Sequence, residues 1–259
     1  MAAPRVGAIV QARMSSTRLP GKVLREIKGR PLLSWLLERA RAATSLDALA
    51  VATSVGGDDD VVAGFCAAEG TTCLRGPLDD VLERYRMATE ALDLDVVVRL
   101  TGDNPLVDPA VVDAVVAFFL AGDLDYASNT APPPGTFPQG LDVEVFSREA
   151  LERAARDAEL PSEREHVTFR FWKNPSLFRI AKLDHARDLS RFRLTVDGPE
   201  DLEVVRGVVE GLGVSGASPT LGELADYLEA HPELTALNGH VEPHAGWRPA
   251  LAADAALRG

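Results

Sequence analysis

The chain has 259 residues and a formal net charge of −12, because 39 Asp and Glu residues outnumber 27 Lys and Arg residues. A surface this acidic argues against a nucleic-acid backbone or an anionic membrane as the main partner. The hydrophobic fraction of 46% supports a sizeable core, the two cysteines form no zinc or disulfide pattern, and no run of about 18 apolar residues indicates a membrane span. We therefore expect a cytoplasmic protein without a signal peptide.

The first predicted element is a buried strand at residues 6–10, which opens into a cationic loop. Arg13, Arg18 and Lys22 are separated by serines, a threonine and a Pro-Gly turn. A guanidinium group binds phosphate oxygens with two donors and lysine adds a mobile point charge, so we expect this loop to grip a triphosphate. The alternative is a solvated basic loop. The pattern is not a Walker loop, because Val23 follows the lysine where Ser or Thr is required.

Strands and helices then alternate up to about residue 120. The predicted elements are a helix that begins at Pro31, strands at 48–53 and 71–74 with a helix at 61–69 between them, a helix capped by Asp79 or Asp80, a strand at 95–100, and a helix with Asp108 as N-cap. This order predicts an α/β fold with an open, doubly wound, mostly parallel sheet. Ligands in such sheets bind beyond the carboxyl ends of the strands, which is where the cationic loop and Asp103 lie.

The alternation of strands and helices ends near residue 125, where a segment with three consecutive prolines begins. We predict a long surface loop, a strand at 141–146, a helix capped by Ser147 and a strand at 178–183, so that residues 125–190 form an insertion in the main fold. The main fold resumes with a strand at 194–196 and helices near Pro199 and Thr220. Residues 1–243 are thus predicted to form one domain, followed by a loosely held tail at 244–259.

Two carboxylates, Asp103 and Asp197, follow strands of the predicted main sheet. Magnesium prefers a few carboxylates together with phosphate oxygens and water, so two aspartates beside a triphosphate loop would suit it. Each aspartate alone fits a helix cap or a turn equally well. Asp197 is the more ambiguous of the two, because Pro199 begins a helix two residues later. The residues alone leave both interpretations open.

Polar residues are concentrated in the predicted insertion. The candidates for substrate binding are Asn129, Gln139, Asp142, Glu144, Glu165 and His166. The two carboxamides can orient a polyhydroxy or carboxylated substrate. Asp142 and Glu144 are two residues apart on a predicted strand, so their side chains share one face. For His166, a structural or surface role is as good an interpretation as a substrate contact.

Several segments together resemble one family, the cytidylyltransferases typified by spore-coat polysaccharide biosynthesis protein F, which are relatives of the acylneuraminate and KDO cytidylyltransferases. The segments are VQARMSSTRLPGKVL, LRGPLDDVLERY, VVRLTGDNPLVDP, DYASNT, FPQGLDVEVFS, EREHVT and RLTVDGPEDLE. The resemblance extends from Val6 to about Asn238. It implies a nucleotide-diphospho-sugar transferase fold, which is GT-A-like and related to the Rossmann fold. It also implies CTP as donor, Mg²⁺ as cofactor, release of pyrophosphate, and a homodimer formed through the insertion.

The same resemblance implies roles for individual residues. Arg13 and Lys22 match the triphosphate-binding residues of the family, and Arg18 lies in its S-T-R-L-P core. Asp103 and Asp197 match its magnesium ligands, which decides between the two interpretations given above. The predicted catalytic residues are therefore Arg13, Lys22 and Asp103, and the predicted nucleotide-binding residues are Gln11, Ala12, Arg13, Arg18, Lys22, Arg75 and Asp103.

We thus predict Mg-dependent transfer of CMP from CTP to an anionic acceptor, namely an acidic sugar, a phosphorylated small molecule or a phosphonate. A phosphate monoester is largely ionised near pH 7, since its second pKa is about 6, and needs no general base. A sugar hydroxyl would need activation by the metal or by a carboxylate such as Asp142. One alternative is a glycosyltransferase of polysaccharide biosynthesis, but DNP stands where its D-x-D motif is expected. The other is a non-catalytic nucleotide-binding module, which the intact cations and carboxylates argue against.

Overall fold

The computed structural model, which describes residues 3–258, contains nine β-strands in that range. They are β1 (Val6–Gln11), β2 (Glu26–Ile27), β3 (Arg30–Pro31), β4 (Ala48–Ser54), β5 (Thr72–Gly76), β6 (Val96–Thr101), β7 (Tyr126–Ser128), β8 (Glu144–Ser147) and β9 (Ile180–Lys182). β2 and β3 form a separate hairpin, and the other strands form one seven-stranded sheet in the order β5-β4-β1-β6-β8-β7-β9. β8 runs antiparallel to both neighbours, and every other pair in this sheet is parallel. The mostly parallel sheet confirms the predicted fold class.

Helices cover both faces of the sheet. They are α1 (Leu32–Arg41), α2 (Asp60–Ala68), α3 (Val81–Ala91), α4 (Pro109–Ala121), α5 (Arg148–Asp157), α6 (Pro161–His166), α7 (Phe169–Trp172), α8 (Pro199–Leu212), α9 (Leu221–Ala230), α10 (Pro232–Asn238) and α11 (Arg248–Arg258). Val10 and Val98 belong to one buried cluster, and Ile9 and Val97 belong to the other. Successive residues of one strand thus face opposite helix layers, which is why β1 and β6 each begin with a continuous apolar run.

The predicted helix caps are present. The side chain of Asp80 accepts a hydrogen bond from the backbone of α3, that of Asp108 from α4, and that of Ser147 from α5. Each oxygen satisfies a backbone N–H that has no partner within its helix. No helix in the described part of the chain is long and apolar enough to cross a membrane.

A cleft arises where the chain changes direction across the sheet. From β1 the chain moves outward through β4 to β5, and it then returns to β6 on the other side of β1. The loops after β1 and β6 therefore start side by side, next to the paired residues Gln11 and Thr101, and then diverge. Gly102 permits this close approach, because a Cβ there would lie 3.1 Å from the Ala12 Cβ and from the Gln11 carbonyl oxygen.

The strand predictions in the second half of the chain hold only in part, since β9 lies within the predicted strand at 178–183 but other segments differ. Residues 194–196 are extended but form no strand; the Leu194 N–H donates to the Gln139 carbonyl at 2.6 Å, and the Val196 N–H donates to the Asp103 carbonyl at 2.8 Å. Conversely, the segment predicted as a loop begins with a strand, because β7 pairs with both β8 and β9. The predicted strand at 141–146 is shorter in the structure, where it begins at Glu144.

The prediction of a loosely held tail is wrong. The tail forms α11, which packs on α6 and buries Ala250 and Asp254. Asp254 accepts hydrogen bonds from the Ser162 backbone N–H at 2.9 Å and from its hydroxyl at 2.5 Å. An Ala- and Pro-rich composition does not reveal this contact, because the partner lies about ninety residues earlier in the chain.

Candidate active site

The loop after β1 brings its lysine between two carboxylates. Lys22 Nζ lies 2.5 Å from Asp103 Oδ2 and 2.8 Å from Asp197 Oδ1. Arg18 Nη2 lies 3.0 Å from the same Asp197 oxygen. Two predicted triphosphate-binding cations and both predicted metal ligands therefore meet at one point, where the loops after β1 and β6 diverge.

Backbone hydrogen bonds set the shape of the cationic loop. Gly21 has φ of 68°, a left-handed conformation that favours glycine. Its N–H donates to the Met14 carbonyl at 2.9 Å, and the Met14 N–H donates to Asp59 Oδ1 at 2.7 Å. The Pro-Gly turn thus fixes the backbone from which Lys22 reaches the carboxylates.

Mutual attraction keeps this cluster charged despite its burial. Burial alone would lower the pKa of Lys22, but the charges of Asp103 and Asp197 outweigh it and raise that pKa. Burial would raise the pKa of Asp197, but Lys22 and Arg18 lower it to about 2. At neutral pH the cluster is therefore an ammonium group held between carboxylates.

A buried network that the sequence analysis missed orients Asp197. Arg193 Nη2 donates to Asp197 Oδ2 at 2.8 Å, and Arg193 Nε donates to Asp201 Oδ1 at 2.8 Å. Asp201 also accepts hydrogen bonds from the Asp197 N–H and from Asn238 Nδ2, each at 2.9 Å. The available signal was Asp201 itself, an acidic residue in the first turn of a helix, where backbone N–H groups need acceptors.

Asp103 and Asp197 present a donor set that suits Mg²⁺. Carboxylate oxygens are hard ligands, and magnesium commonly combines one or two of them with phosphate oxygens and water. One oxygen of each carboxylate already lies within 2.8 Å of a single cation, the Lys22 ammonium. Residues 3–258 contain no group of three or more His, Cys, Asp or Glu side chains that could hold a metal. A metal here would therefore take its remaining ligands from the nucleotide and from water.

Three further predicted nucleotide contacts, Gln11, Ala12 and Arg13, line the cleft. Arg13 Nη2 lies 3.3 Å from Glu165 Oε1, and both side chains are 38% exposed. An ion pair this accessible to water is weak. Arg13 can therefore turn to a phosphate at little energetic cost.

Arg75 does not line the cleft. Its Nε donates to the Ser54 carbonyl at 2.8 Å, and its Nη2 donates to the Gly56 carbonyl at 2.9 Å and pairs with Asp60 at 2.7 Å. The guanidinium thus closes the loop after β4. The structure contradicts the prediction of a nucleotide contact at Arg75, because the side chain lies outside the cleft and its Nε and Nη2 bind the loop after β4.

Five of the six predicted substrate residues line the cleft, namely Gln139, Asp142, Glu144, Glu165 and His166. The exception is Asn129, which is fully buried. Its Nδ2 donates to the Leu141 carbonyl at 2.8 Å, and its Oδ1 accepts from the Val143 N–H at 2.8 Å. A substrate contact at Asn129 is wrong, since the carboxamide holds the backbone on both sides of Asp142.

Glu144 supports the cleft rather than offering a free carboxylate. It is 5% exposed, pairs with Arg99 and accepts a hydrogen bond from the Tyr126 hydroxyl at 2.6 Å. Arg99 Nε also donates to Gln11 Oε1 at 3.2 Å. The result is an arginine fixed in the floor of the cleft with its charge compensated.

Asp142 and its neighbour Asn104 present hydrogen-bond acceptors at the cleft. Asp142 Oδ2 accepts from the Gly140 N–H at 2.7 Å and from Asn104 Nδ2 at 3.2 Å. Asn104 Oδ1 is buried without a partner. Burial raises the pKa of Asp142. This corner of the cleft therefore suits a ligand that donates hydrogen bonds, such as a hydroxyl group.

His166 lies in an aromatic wall to which the C-terminal segment contributes. Its ring is 4.6 Å from that of Phe169 and 6.4 Å from that of Trp247. Burial, followed by the charge of Arg99, lowers the pKa of His166 to about 3, and its Nε2 has no partner. His166 is thus a neutral, apolar-facing side chain at physiological pH. Sequence reasoning missed Trp247 because it lay in the predicted loose tail.

The cleft has a volume of about 540 Å³. A second cavity of about 590 Å³ shares four residues with it, namely Thr130, Gln139, Asp142 and His244. Sequence reasoning also missed Arg84, which lines the cleft from α3. A lone arginine on a charged helix gives no sequence signal that separates a buried role from a solvated one.

Comparisons with known proteins identify one family. The family model for cytidylyltransferases matches residues 7–209. The chain is 34% identical to the spore coat polysaccharide biosynthesis protein SpsF of Bacillus subtilis, over 87% of this chain and 94% of that protein. It is 30% identical to a 3-deoxy-manno-octulosonate cytidylyltransferase of Anaeromyxobacter dehalogenans, over 79% of this chain and 97% of that protein.

A solved structure shares the fold. A cytidylyltransferase from Leptospira borgpetersenii superposes with a TM-score of 0.85 at 31% identity, covering 90% of this chain and 97% of that one. The match confirms the predicted nucleotide-diphospho-sugar transferase fold and supports a nucleotidyltransferase rather than a non-catalytic module. On its sequence and its structure, the chain belongs to the cytidylyltransferase family.

Proposed function

We propose that the protein is a Mg²⁺-dependent cytidylyltransferase that transfers CMP from CTP to an anionic acceptor and releases pyrophosphate. The acceptor is an acidic sugar, a phosphorylated small molecule or a phosphonate. The observation that carries the proposal is the meeting of Lys22 with Asp103 and Asp197 beside Arg18. It combines a cationic grip for a polyphosphate with a pair of magnesium-type ligands.

Each charged residue then has a defined task. Arg13, Arg18 and Lys22 bind oxygens of the β- and γ-phosphates and stabilise the charge that develops on the departing pyrophosphate. Asp103 and Asp197 would hold the magnesium ion once Lys22 binds the phosphates. When bound, the ion would supply positive charge that offsets the charge of the phosphate oxygens.

The reaction is an in-line substitution at the α-phosphorus. An acceptor oxygen forms a bond to that atom as the bond to the β-phosphate oxygen breaks, and the bonding electrons leave with pyrophosphate. A phosphate or carboxylate oxygen is already ionised near pH 7 and gives up no proton. A hydroxyl acceptor would need activation by the metal or by a carboxylate such as Asp142, which lines the cleft.

The proposal extends to the pathway and to the oligomeric state of the protein. The name of the Bacillus subtilis relative supports a role in polysaccharide biosynthesis. We infer a cytoplasmic homodimer with contacts through residues 125–190. Light scattering of the purified protein is expected to give twice the monomer mass of 27.7 kDa.

Pyrophosphate release tests the proposed function. The protein is incubated with each nucleoside triphosphate, Mg²⁺ and a panel of the three acceptor classes. We expect release with CTP that depends on the acceptor and on the metal. Lys22→Ala is expected to lower turnover on the order of 10²-fold or more, because it removes a charge that binds the leaving group. Arg25→Ala is the matched control, since Arg25 is exposed and close in sequence; near-normal turnover of Lys22→Ala contradicts the assignment.

A further inference from the structure

Arg84 is a buried charge that the proposed mechanism does not use. It lies on α3, is 3% exposed and lines the cleft. Its Nε and Nη1 have no hydrogen-bond partner. Unpaired donors on a buried cation are strongly unfavourable. Their presence in the wall of the cleft therefore indicates a ligand that supplies the missing acceptors.

The fold holds this guanidinium in place. The Arg84 Cγ packs against Gly76, where a Cβ would come within 2.8 Å of it. The neighbouring Tyr85 anchors α3 under the cleft, because its hydroxyl donates to the Ile9 carbonyl at 3.0 Å. Burial lowers the pKa of Arg84, but an arginine remains protonated at neutral pH, so all of its donors persist.

Nearby carboxylates attract Arg84 but do not satisfy its hydrogen bonds. Asp59 and Asp80 attract it electrostatically, whereas Arg13 repels it. Their oxygens are engaged elsewhere, those of Asp59 by the loop backbone and those of Asp80 by the first turn of α3 and by Arg164. A ligand that complements Arg84 must therefore supply hydrogen-bond acceptors to its unpaired nitrogens.

The position of Arg84 separates it from the phosphate site. α3 contacts β1, β4 and β5, whereas Asp103 follows β6 on the opposite side of β1. A nucleotide whose phosphates lie at Lys22 can therefore extend past Arg13 with its base directed towards α3.

We propose that Arg84 binds the O2 and N3 atoms of cytosine and thereby selects CTP over UTP. This inference rests on the proposed function. A guanidinium presents paired N–H donors along two of its edges, and each edge includes one of the unpaired nitrogens of Arg84. Cytosine offers two adjacent acceptors. In uracil, N3 carries a hydrogen and is itself a donor, so it would face an N–H of Arg84 without forming a hydrogen bond. A site that recognises its ligand by hydrogen bonds rejects a ligand that leaves them unmade.

Calorimetric titration of the full-length protein with CTP and with UTP, in Mg²⁺ and without acceptor, tests the proposal. Wild-type protein is expected to bind CTP on the order of tenfold more tightly than UTP, because UTP cannot form the same hydrogen bonds to the charged donor. Arg84→Met is expected to bring that ratio close to one by weakening CTP alone. Arg86→Met is the matched control, because Arg86 lies on the same helix and pairs with Glu83 and Glu90.

A nucleotide analogue tests the same contact in the unaltered protein. The triphosphate of 3-deazacytidine lacks the N3 acceptor, so wild-type protein is expected to bind it about as weakly as Arg84→Met binds CTP. The variant is expected to show no further loss with the analogue. An unchanged CTP-to-UTP ratio in Arg84→Met, or equal binding of CTP and the analogue by wild type, overturns the role of Arg84 while leaving CTP binding intact. Absence of CTP binding by wild-type protein overturns the proposed function itself.

Discussion

Three cationic side chains surround Asp197. Lys22, Arg18 and Arg193 all lie within 3.0 Å of its oxygens. Of these, Arg193 also forms an ion pair with the buried Asp201. Arg18 and Lys22 lie in the loop after β1. A triphosphate can therefore draw two cations away from Asp197 while the third still orients it.

The neutral state of His166 makes stability depend on pH. Its pKa in the folded protein is about 3, below the value of about 6.5 expected for an unfolded chain. Between these values the unfolded chain binds a proton that the folded protein does not, so stability falls as the pH drops below 6.5. We expect wild-type protein to lose about 1–2 kcal/mol more between pH 7 and pH 5 than His166→Gln.

Urea unfolding at both pH values measures this difference. His240→Gln is the matched control, since His240 is exposed. An equal loss of stability in wild-type protein and in His166→Gln would show that His166 is protonated in the folded state.

The positions of single residues were predictable where the local pattern determines them. Lys22 and Asp103 follow buried strands in loops whose chemistry is visible in the sequence. Asn129 and Arg75 were not predictable in the same way. A carboxamide or guanidinium that satisfies backbone carbonyls has the same local sequence as one that meets a ligand.

The carboxyl edge of the sheet depends on a backbone contact between two loops. Gly140 has φ of 106°, and a Cβ there would lie 2.3 Å from Thr195 N and 2.4 Å from Leu194 C. The first loop carries Asp142 and the second carries Asp197. Close packing at this glycine thus sets the distance between the two carboxylates.

Replacement of this glycine tests how strongly the site depends on the contact. Gly140→Ala is expected to lower the free energy of unfolding by roughly 2 kcal/mol or more, through backbone strain and steric overlap. It should also weaken CTP binding, because the segment before Asp197 must shift. Urea unfolding and calorimetry measure the two effects. Gly57→Ala is the control, since no atom lies within 4 Å of a Cβ there. Equal stability and equal CTP binding of the two variants would show that the site does not depend on the contact at Gly140.

Apart from the short hairpin of β2 and β3, the elements up to residue 121 were predictable because their hydrophobic periods are local and their caps are standard. β7 was missed because prolines follow it closely, and its pairing with β9 joins residues more than fifty positions apart. Residues 194–196 have strand composition but lack a neighbouring strand with a free edge. α11 depends on the buried bond between Asp254 and Ser162. Each failure concerns a contact that is distant in sequence.

The molecule as a whole is acidic, but the lining of its cleft is balanced in charge. The chain carries a net charge of −12. Five cationic and five acidic side chains line the cleft, namely Arg13, Arg18, Lys22, Arg84, Arg99, Asp103, Asp142, Glu144, Glu165 and Asp197. A polyanion is therefore repelled less at the cleft than over the rest of the surface. This arrangement favours a nucleotide over a nucleic acid, which would need an extended basic surface.

Isotopic labelling of CTP tests the proposed nucleotidyl transfer most directly. The protein is incubated with Mg²⁺, an acceptor panel, and CTP labelled with ³²P at either the α- or the γ-phosphate. We predict that the α-label appears in a new CMP conjugate and that the γ-label appears in pyrophosphate. Appearance of the γ-label in inorganic phosphate or on the acceptor, with the α-label left in CDP, would contradict attack at the α-phosphorus.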